Sequence, residues 1–219
     1  MLVKPDNIKT KIAHFFDKYP LRTFSKRETM LQAEVAITDV FYILEGRVSQ
    51  YDITPTGNEV VVNVFKPGAF FPMSSAINHT QNHYFFEASD TVTARVAPSG
   101  DVVQFLQANP DVLFDLLARV YRGMDGVLRR MAHLMGGDAK SRLLFELLNA
   151  AYRFGEAQHD GTMFVPLKES DLARQSGLAR ETVNRNVQIL KASGLIEVTR
   201  HGFALTSLPR LEAELGSAV

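Results

Sequence analysis

Leu167–Ile196, LKESDLARQSGLARETVNRNVQILKASGLI, is the stretch whose reading decides the fold. It reads as two helices joined by a tight turn. Leu172 and Ala173 end the apolar face of the first helix, and Gly177 supplies the turn that lets the second cross it. In the second helix Val183, Val187, Leu190 and Ala192 recur at helical spacing and predict an inward stripe. Arg180, Glu181, Asn184, Arg185, Gln188 and Lys191 take the rest of the circumference. Such a face suits the DNA major groove, where Arg forks onto guanine O6/N7 and Glu accepts from cytosine N4. Most amphipathic helices with a charged outer face simply solvate it. Here the glycine turn, the helix pair and the strand-like segments that follow favour a DNA-binding helix-turn-helix.

Outward from this stretch, Leu195–Thr199 and Phe203–Thr206 flank His201-Gly202 as a hairpin, the wing of a winged helix. Upstream lie a short strand at Met163–Pro166 and a helix over Ala139–Phe154. Gly136-Gly137-Asp138 reads as a hinge. Before it, a helix is predicted from about Pro110 to Leu134. Leu113, Leu117, Val120, Met124, Val127, Met131 and Leu134 alternate by four and three, the seam of a two-stranded coiled coil. The competing reading is a helix packed on its own domain. Gly123 and Gly126 inside it should each cost about 1 kcal/mol relative to Ala.

From Leu21 to about Pro98 the pattern becomes short β runs: MLQAEV, VFYILEG, RVSQYDI, EVVVNVF, HYFFEA and VTARVA. Glu45-Gly46-Arg47 and Pro55-Thr56-Gly57-Asn58 are the clearest hairpin turns. Strands at this spacing predict a sandwich or jelly roll. Residues 7–18, with Ile8, Ile12, Phe15 and Phe16, predict a short docking helix. The fold class is thus α+β. Residues 1–108 form a jelly-roll sensing domain with an N-terminal helix, 109–136 a dimerisation helix, and 137–219 a winged helix-turn-helix domain.

Composition agrees with a globular chain of two modest domains: 219 residues, 46% hydrophobic. The formal net charge is zero, unusual for a nucleic-acid binder. Arg174–Arg200, however, holds five Arg or Lys against two Glu, a local excess of three positive charges. With no cysteine, disulfides, a thiolate-held iron–sulfur cluster and a thiol switch are excluded. The N-terminus lacks the apolar core of a signal peptide, and no stretch approaches the roughly 20 apolar residues of a membrane helix. The expectation is a soluble cytoplasmic protein with no membrane partner.

The segment GLARETVNRNVQILKASGLI resembles the recognition segment of the CRP–FNR family of bacterial transcription regulators. DAKSRLLFELLNAA (Asp138–Ala151) resembles that family's helix after the hinge, and YILEGRVSQYDITPTGNEVVVNVFKPG (Tyr42–Gly68) its effector-domain strands. The resemblance implies a homodimer on double-stranded DNA, with RNA polymerase as a further partner. It also implies base reading by Arg180, Glu181 and Arg185 at an inverted repeat close to TGTGA-N6-TCACA. Ser170, Thr182 and Lys191 would then meet phosphates, which fix register without reading sequence, and Asn184 and Gln188 would add secondary contacts. Ala179 and Lys168 depart from the family's usual capping hydroxyls. The loss at Ala179 should cost about 1 kcal/mol, offset in part by Glu181 in the first turn.

The family's nucleotide pocket fails residue by residue. Cyclic-nucleotide-binding members cradle ribose and phosphate with a Gly-Glu start, a second Gly and an Arg-Ser pair. In Gly68–Ala88, GAFFPMSSAINHTQNHYFFEA, the Arg-Ser pair falls at Asn82-His83 and the Glu at about Ala69. The positions that meet the base fall at about Val127 and Leu128, both apolar. A phosphate loses its bidentate cation, so cyclic AMP and cyclic GMP are not expected to bind. What remains reads as an aromatic, Met-rich pocket for another small effector: Phe70, Phe71, Met73, Ser74, Ser75, Asn82, His83 and Tyr84, with Val127 and Leu128. The alternative is a pocket filled by its own side chains and a regulator without ligand.

His79, His83 and Glu87 are spaced by four, which gathers metal ligands on a helix, whereas Tyr84–Ala88 reads as strand. No metal site is assigned. Haem ligation by His occurs in the family, but no residue here specifies it. A metal-dependent jelly-roll enzyme is the remote alternative. His14, His133, His159 and His201 are scattered, and neither a phosphate loop nor a nucleophile elbow is present, so no catalytic residue and no cofactor are assigned.

Overall fold

A computed structural model describes residues 5–55 and 57–216. Thr56, placed above in a hairpin turn, lies outside the described residues, as do residues 1–4 and 217–219. The chain divides into two units, Met1–Arg122 and Gly123–Val219. No helix among the described residues is long and apolar enough to cross a membrane.

The first unit opens with α1 (Pro5–Asp17), then β1 (Leu21–Phe24), β2 (Thr29–Leu31), β3 (Val35–Ala36), β4 (Asp39–Glu45), β5 (Val48–Ile53) and β6 (Glu59–Phe65). There follow β7 (Phe70–Phe71), α2 (Met73–Asn78), β8 (Gln81–Asn82), β9 (Phe85–Ala88), β10 (Val92–Pro98) and α3 (Ser99–Ala108). Two four-stranded sheets, ordered β1-β10-β4-β7 and β2-β9-β5-β6, supply the jelly-roll faces, and β3 pairs with β8. Their common core is aromatic: Phe71 stacks on Phe86 at 4.8 Å and on Phe65 at 5.2 Å, with Phe41 at 5.4 Å. A second core gathers Ile12 and Phe16 of α1 with Tyr42, Phe70, Val102 and Leu106.

Two expectations change here. Glu45-Gly46-Arg47 is no hairpin: β4 pairs with β10 and β7, whereas β5 pairs with β6 and β9, so this corner crosses between sheets. Gly46 takes φ +82, and a Cβ there would come within 2.3 Å of the Thr91 carbonyl. The Asp90 carboxylate fastens the corner, accepting from the Arg47 backbone N–H at 2.6 Å and from its Nε at 2.8 Å. MLQAEV is not one strand either. It breaks at Glu34, which takes φ +59 while its N–H donates to the Asn82 carbonyl at 2.6 Å. The helix α3 lay hidden because Pro98-Ser99-Gly100 reads as a turn, although Val102 and Leu106 sit four apart and both are buried.

Helix α4 (Pro110–Gly136) begins in the first unit and ends in the second, with the division falling between Arg122 and Gly123. In the second unit, α5 (Ala139–Phe154) carries the core on Leu143, Leu144, Leu147 and Leu148. Its N-terminus is capped by Asp138, whose carboxylate accepts from the Ser141 N–H at 2.8 Å. The strands β11 (Glu156–Ala157), β12 (Met163–Val165), β13 (Ile196–Val198) and β14 (Phe203–Leu205) form a sheet ordered β11-β12-β14-β13. Between β12 and β13 lie α6 (Glu169–Ser176) and α7 (Arg180–Ala192), and α8 (Leu208–Leu215) closes the unit through buried Leu211.

Candidate nucleic-acid interface

The turn between α6 and α7 forms as its residues dictate. Gly177 ends α6 in the left-handed conformation, φ 66 and ψ 23, and Ala179 starts α7 from extended backbone. Ala179 makes no side-chain cap, and Lys168 has none to offer, though Asp171 partly replaces it by accepting from the Lys168 N–H at 3.3 Å. Leu172 and Ala173 of α6 share one buried cluster with Val183, Val187 and Leu190 of α7, and the buried Ser176 satisfies its hydroxyl by donating to the Leu172 carbonyl at 2.7 Å. Ala192, expected inside, is exposed. The fourth inward position is instead Asn186, 6% exposed, whose amide donates to the Thr182 carbonyl at 2.8 Å. The sequence concealed it because an amide at an inward position looks like part of the polar face until its local backbone partner is known.

With one side of α7 fixed in the core, the other is free. Arg180, Glu181, Asn184, Arg185, Gln188 and Lys191 are all exposed, and positions 180, 181, 184, 185 and 188 adjoin one another on a helix. Thr182 and Ser170 are half-buried at the starts of α7 and α6. The Asn184 amide lies 3.5 Å from the Glu169 carboxylate, which joins the start of α6 to this face. At the wing, Thr199 closes the β13–β14 turn by accepting from the Gly202 N–H at 3.0 Å and leaves Arg200 exposed at the tip. Arg200 entered the charge balance above but had no role, since a single residue in a turn carries no periodic signal.

The segment read as an effector pocket is built differently. Phe70 and Phe71 are successive strand residues that point to opposite faces, Phe70 into the second core and Phe71 into the intersheet core, 6% and 1% exposed. They therefore line no common cavity, which corrects the expectation. Asn82, 1% exposed, is a turn brace: its amide donates to the Gln32 carbonyl at 2.8 Å and to the Tyr84 carbonyl at 2.5 Å, and its oxygen accepts from the Tyr84 N–H. Ser75 is buried beneath the Gln81 carbonyl, Met73 packs on the second core, and Ser74 is exposed. His83 and Tyr84 are exposed too, with His83 paired to Glu34 at 3.0 Å. His79 ends α2 in the left-handed conformation, and among the described residues no three His, Asp or Glu gather as a metal site. Near Ala69, Arg119 of α4 donates to the Gly68 carbonyl at 3.0 Å and pairs with Asp115 at 2.6 Å.

The seam on α4 is open along its length. Leu113, Leu117, Val120, Met124, Val127 and Met131 are 40–56% exposed, and Leu134 is half-buried. Phe114, Tyr121, Leu128 and Met135, spaced by seven, widen it, with Phe114 71% and Met135 81% exposed. Leu128, named above for the pocket, belongs to this row. A stripe of three positions per heptad is broader than a strict two-stranded seam. The third row lies outside the four-three alternation of a strict seam.

A winged helix-turn-helix with a free, charged face on its second helix defines a DNA-binding protein. The comparisons agree: residues 21–109 match the cyclic nucleotide-binding domain and residues 141–214 the Crp-like helix-turn-helix domain. The cAMP-activated global transcriptional regulator CRP of Escherichia coli is 27% identical over 191 residues, covering 84% of this chain and 85% of that protein. The nitrogen fixation regulation protein FixK of Bradyrhizobium diazoefficiens is 26% identical over 191 residues, covering 87% and 79%. Among solved structures, the c-di-GMP responsive global regulator CLP of Xanthomonas campestris superposes with a TM-score of 0.79 at 17% identity, over 90% of this chain and 99% of that one, a likeness of fold. The chain belongs to the CRP–FNR family of transcription regulators. It is a DNA-binding transcription regulator.

Proposed function

We propose that this protein is a homodimeric, sequence-specific regulator whose two α7 helices read an inverted repeat, and that cyclic AMP does not control it. One observation carries the reading: α7 is fixed by Val183, Val187 and Leu190 on one side and offers Arg180, Glu181, Asn184, Arg185 and Gln188 on the other. Arg180 and Arg185 fork onto guanines, and Glu181 accepts from a cytosine amino group. Ser170, Thr182 and Lys191 hold phosphates. The dimer follows from the open apolar stripe of α4, which two chains would bury together, presenting two α7 helices about 34 Å apart.

The cyclic AMP named for the CRP relatives is not carried over. Neither Ala69 nor the Asn82-His83 pair offers a carboxylate to ribose or a guanidinium to phosphate. The buried Phe70, Phe71 and Asn82 favour the second reading of this segment, closed by its own side chains and needing no ligand there. Sedimentation tests the assembly. The native chain should run as a dimer at micromolar concentration, whereas Val127→Glu or Met131→Glu, which place a charge in a desolvated interface at a cost of several kcal/mol, should run as monomers. A variant that stays dimeric contradicts the seam. Calorimetry at millimolar cyclic AMP should show no heat of binding; affinity tighter than about 10 µM, roughly 7 kcal/mol, contradicts the reading of the segment.

A further inference from the structure

Building on the assignment of α7 as the helix that meets DNA, we propose that Arg130 of α4 is a positioning residue for DNA recognition, holding the α6–α7 turn through the carbonyl of Gln175. The Arg130 Nε donates to the Glu146 carboxylate of α5 at 2.5 Å, and its Nη2 donates to the Gln175 backbone carbonyl. Glu146 is buried, its side chain 2% exposed, and Arg130 is half-buried at 15%. Three residues further along the same face of α4, His133 stacks on Phe145 of α5 at 4.6 Å. The end of α4 is thus fastened to α5 and, through one guanidinium, to α6.

Gln175 stands two residues before Gly177, in the last turn of α6. Carbonyls there have no partner N–H in their own helix, and a cation beside them meets the negative end of the helix dipole. Arg130 supplies both the donor and the charge at the point where α6 gives way to α7. A buried Arg–Glu pair adds little stability over well-packed apolar side chains of the same size. Packing alone therefore leaves unexplained why a guanidinium is needed here, whereas reaching a backbone carbonyl in the neighbouring helix explains it. Arg130 is also flanked on α4 by Val127 and Met131, both on the open apolar stripe.

The test uses the full chain and a labelled duplex selected from random DNA by the native protein, so that no assumed sequence enters. Arg130→Met leaves Glu146 with Arg153 and Asn149, and a single cooperative thermal transition shows that the variant still folds. Affinity for the selected duplex should nevertheless fall about tenfold, with little change on non-selected DNA of equal length. Arg130→Lys, which keeps a donor and a charge, should recover part of that loss. If folded Arg130→Met binds the selected duplex as the native chain does, or if Arg130→Lys binds no better than Arg130→Met, the positioning role is wrong. If the native chain selects no sequence at all, the assignment of α7 fails first and this proposal with it.

Discussion

Gly68–Ala88 in the first unit and Lys168–Ala192 in the second are equally rich in chemically capable side chains, yet they place them in opposite ways. In the second, Arg180, Glu181 and Arg185 stand in solvent on a helix whose other side is core. In the first, Phe70, Phe71, Ser75 and Asn82 turn inward and find partners in their own chain. A row of polar groups left to solvent is free to meet another molecule, and DNA is the one proposed here. A row already packed and hydrogen-bonded has no such freedom. The family resemblance reaches both units, but Lys168–Ala192 keeps the family's base-reading residues whereas Gly68–Ala88 lacks its ribose and phosphate ligands.

The largest effect expected from this contrast is on stability. Phe71→Ala removes the ring at the centre of the intersheet core and should cost about 3–5 kcal/mol, read by denaturant unfolding. A loss under 1 kcal/mol would mean that the ring lines an open pocket. The matching change on the other side, Arg185→Ala, should leave stability unchanged within about 0.5 kcal/mol and weaken binding to the selected DNA by about 1–3 kcal/mol.

Two smaller effects concern helix starts in the second unit. The Ser141 backbone N–H, joined by its hydroxyl, holds the Asp138 carboxyl below its ordinary value. A carboxylate whose pKa is lowered by folding stabilises the fold above its unfolded pKa, and that contribution vanishes as pH falls through the folded one. Asp138→Ala should therefore cost about 1 kcal/mol at neutral pH, and the gap from the native chain should shrink below about pH 4. A gap that persists at acid pH would mean that the side chain acts by packing. Ala179→Ser supplies the missing cap of α7 and should add about 1 kcal/mol or less. No gain would show that the Thr182 N–H it targets is already satisfied.

How much was legible follows the same divide. Helical period alone places Val183, Val187 and Leu190 inside α7 and Arg180 and Arg185 outside, because each position on a helix has one facing. The span Ala139–Phe154 for α5 was readable for that reason, from four buried leucines and Asp138 before them. The jelly roll was readable as a class but not in its pairing. Whether Gly46 closes a hairpin or a crossover depends on Asp90 and Thr91, some forty residues away. Aromatic residues in Phe70-Phe71 look alike in a core and in a pocket, and only the register of β7 against Phe41 and Tyr42 separates the two. Asn186 had no place in the sequence reading and Asn82 had one in the pocket; each is core-compatible because its amide finds backbone carbonyls, Thr182 for the one and Gln32 and Tyr84 for the other.

The central claim, that α7 reads sequence, is tested most directly by selecting duplexes from random DNA with the native chain and with Arg185→Ala in parallel. The native chain should return an inverted repeat with GTGA-like half-sites, and Arg185→Ala should return the same repeat with one base pair per half-site relaxed. A native selection without any repeated half-site, or identical selections from the two proteins, would contradict the account.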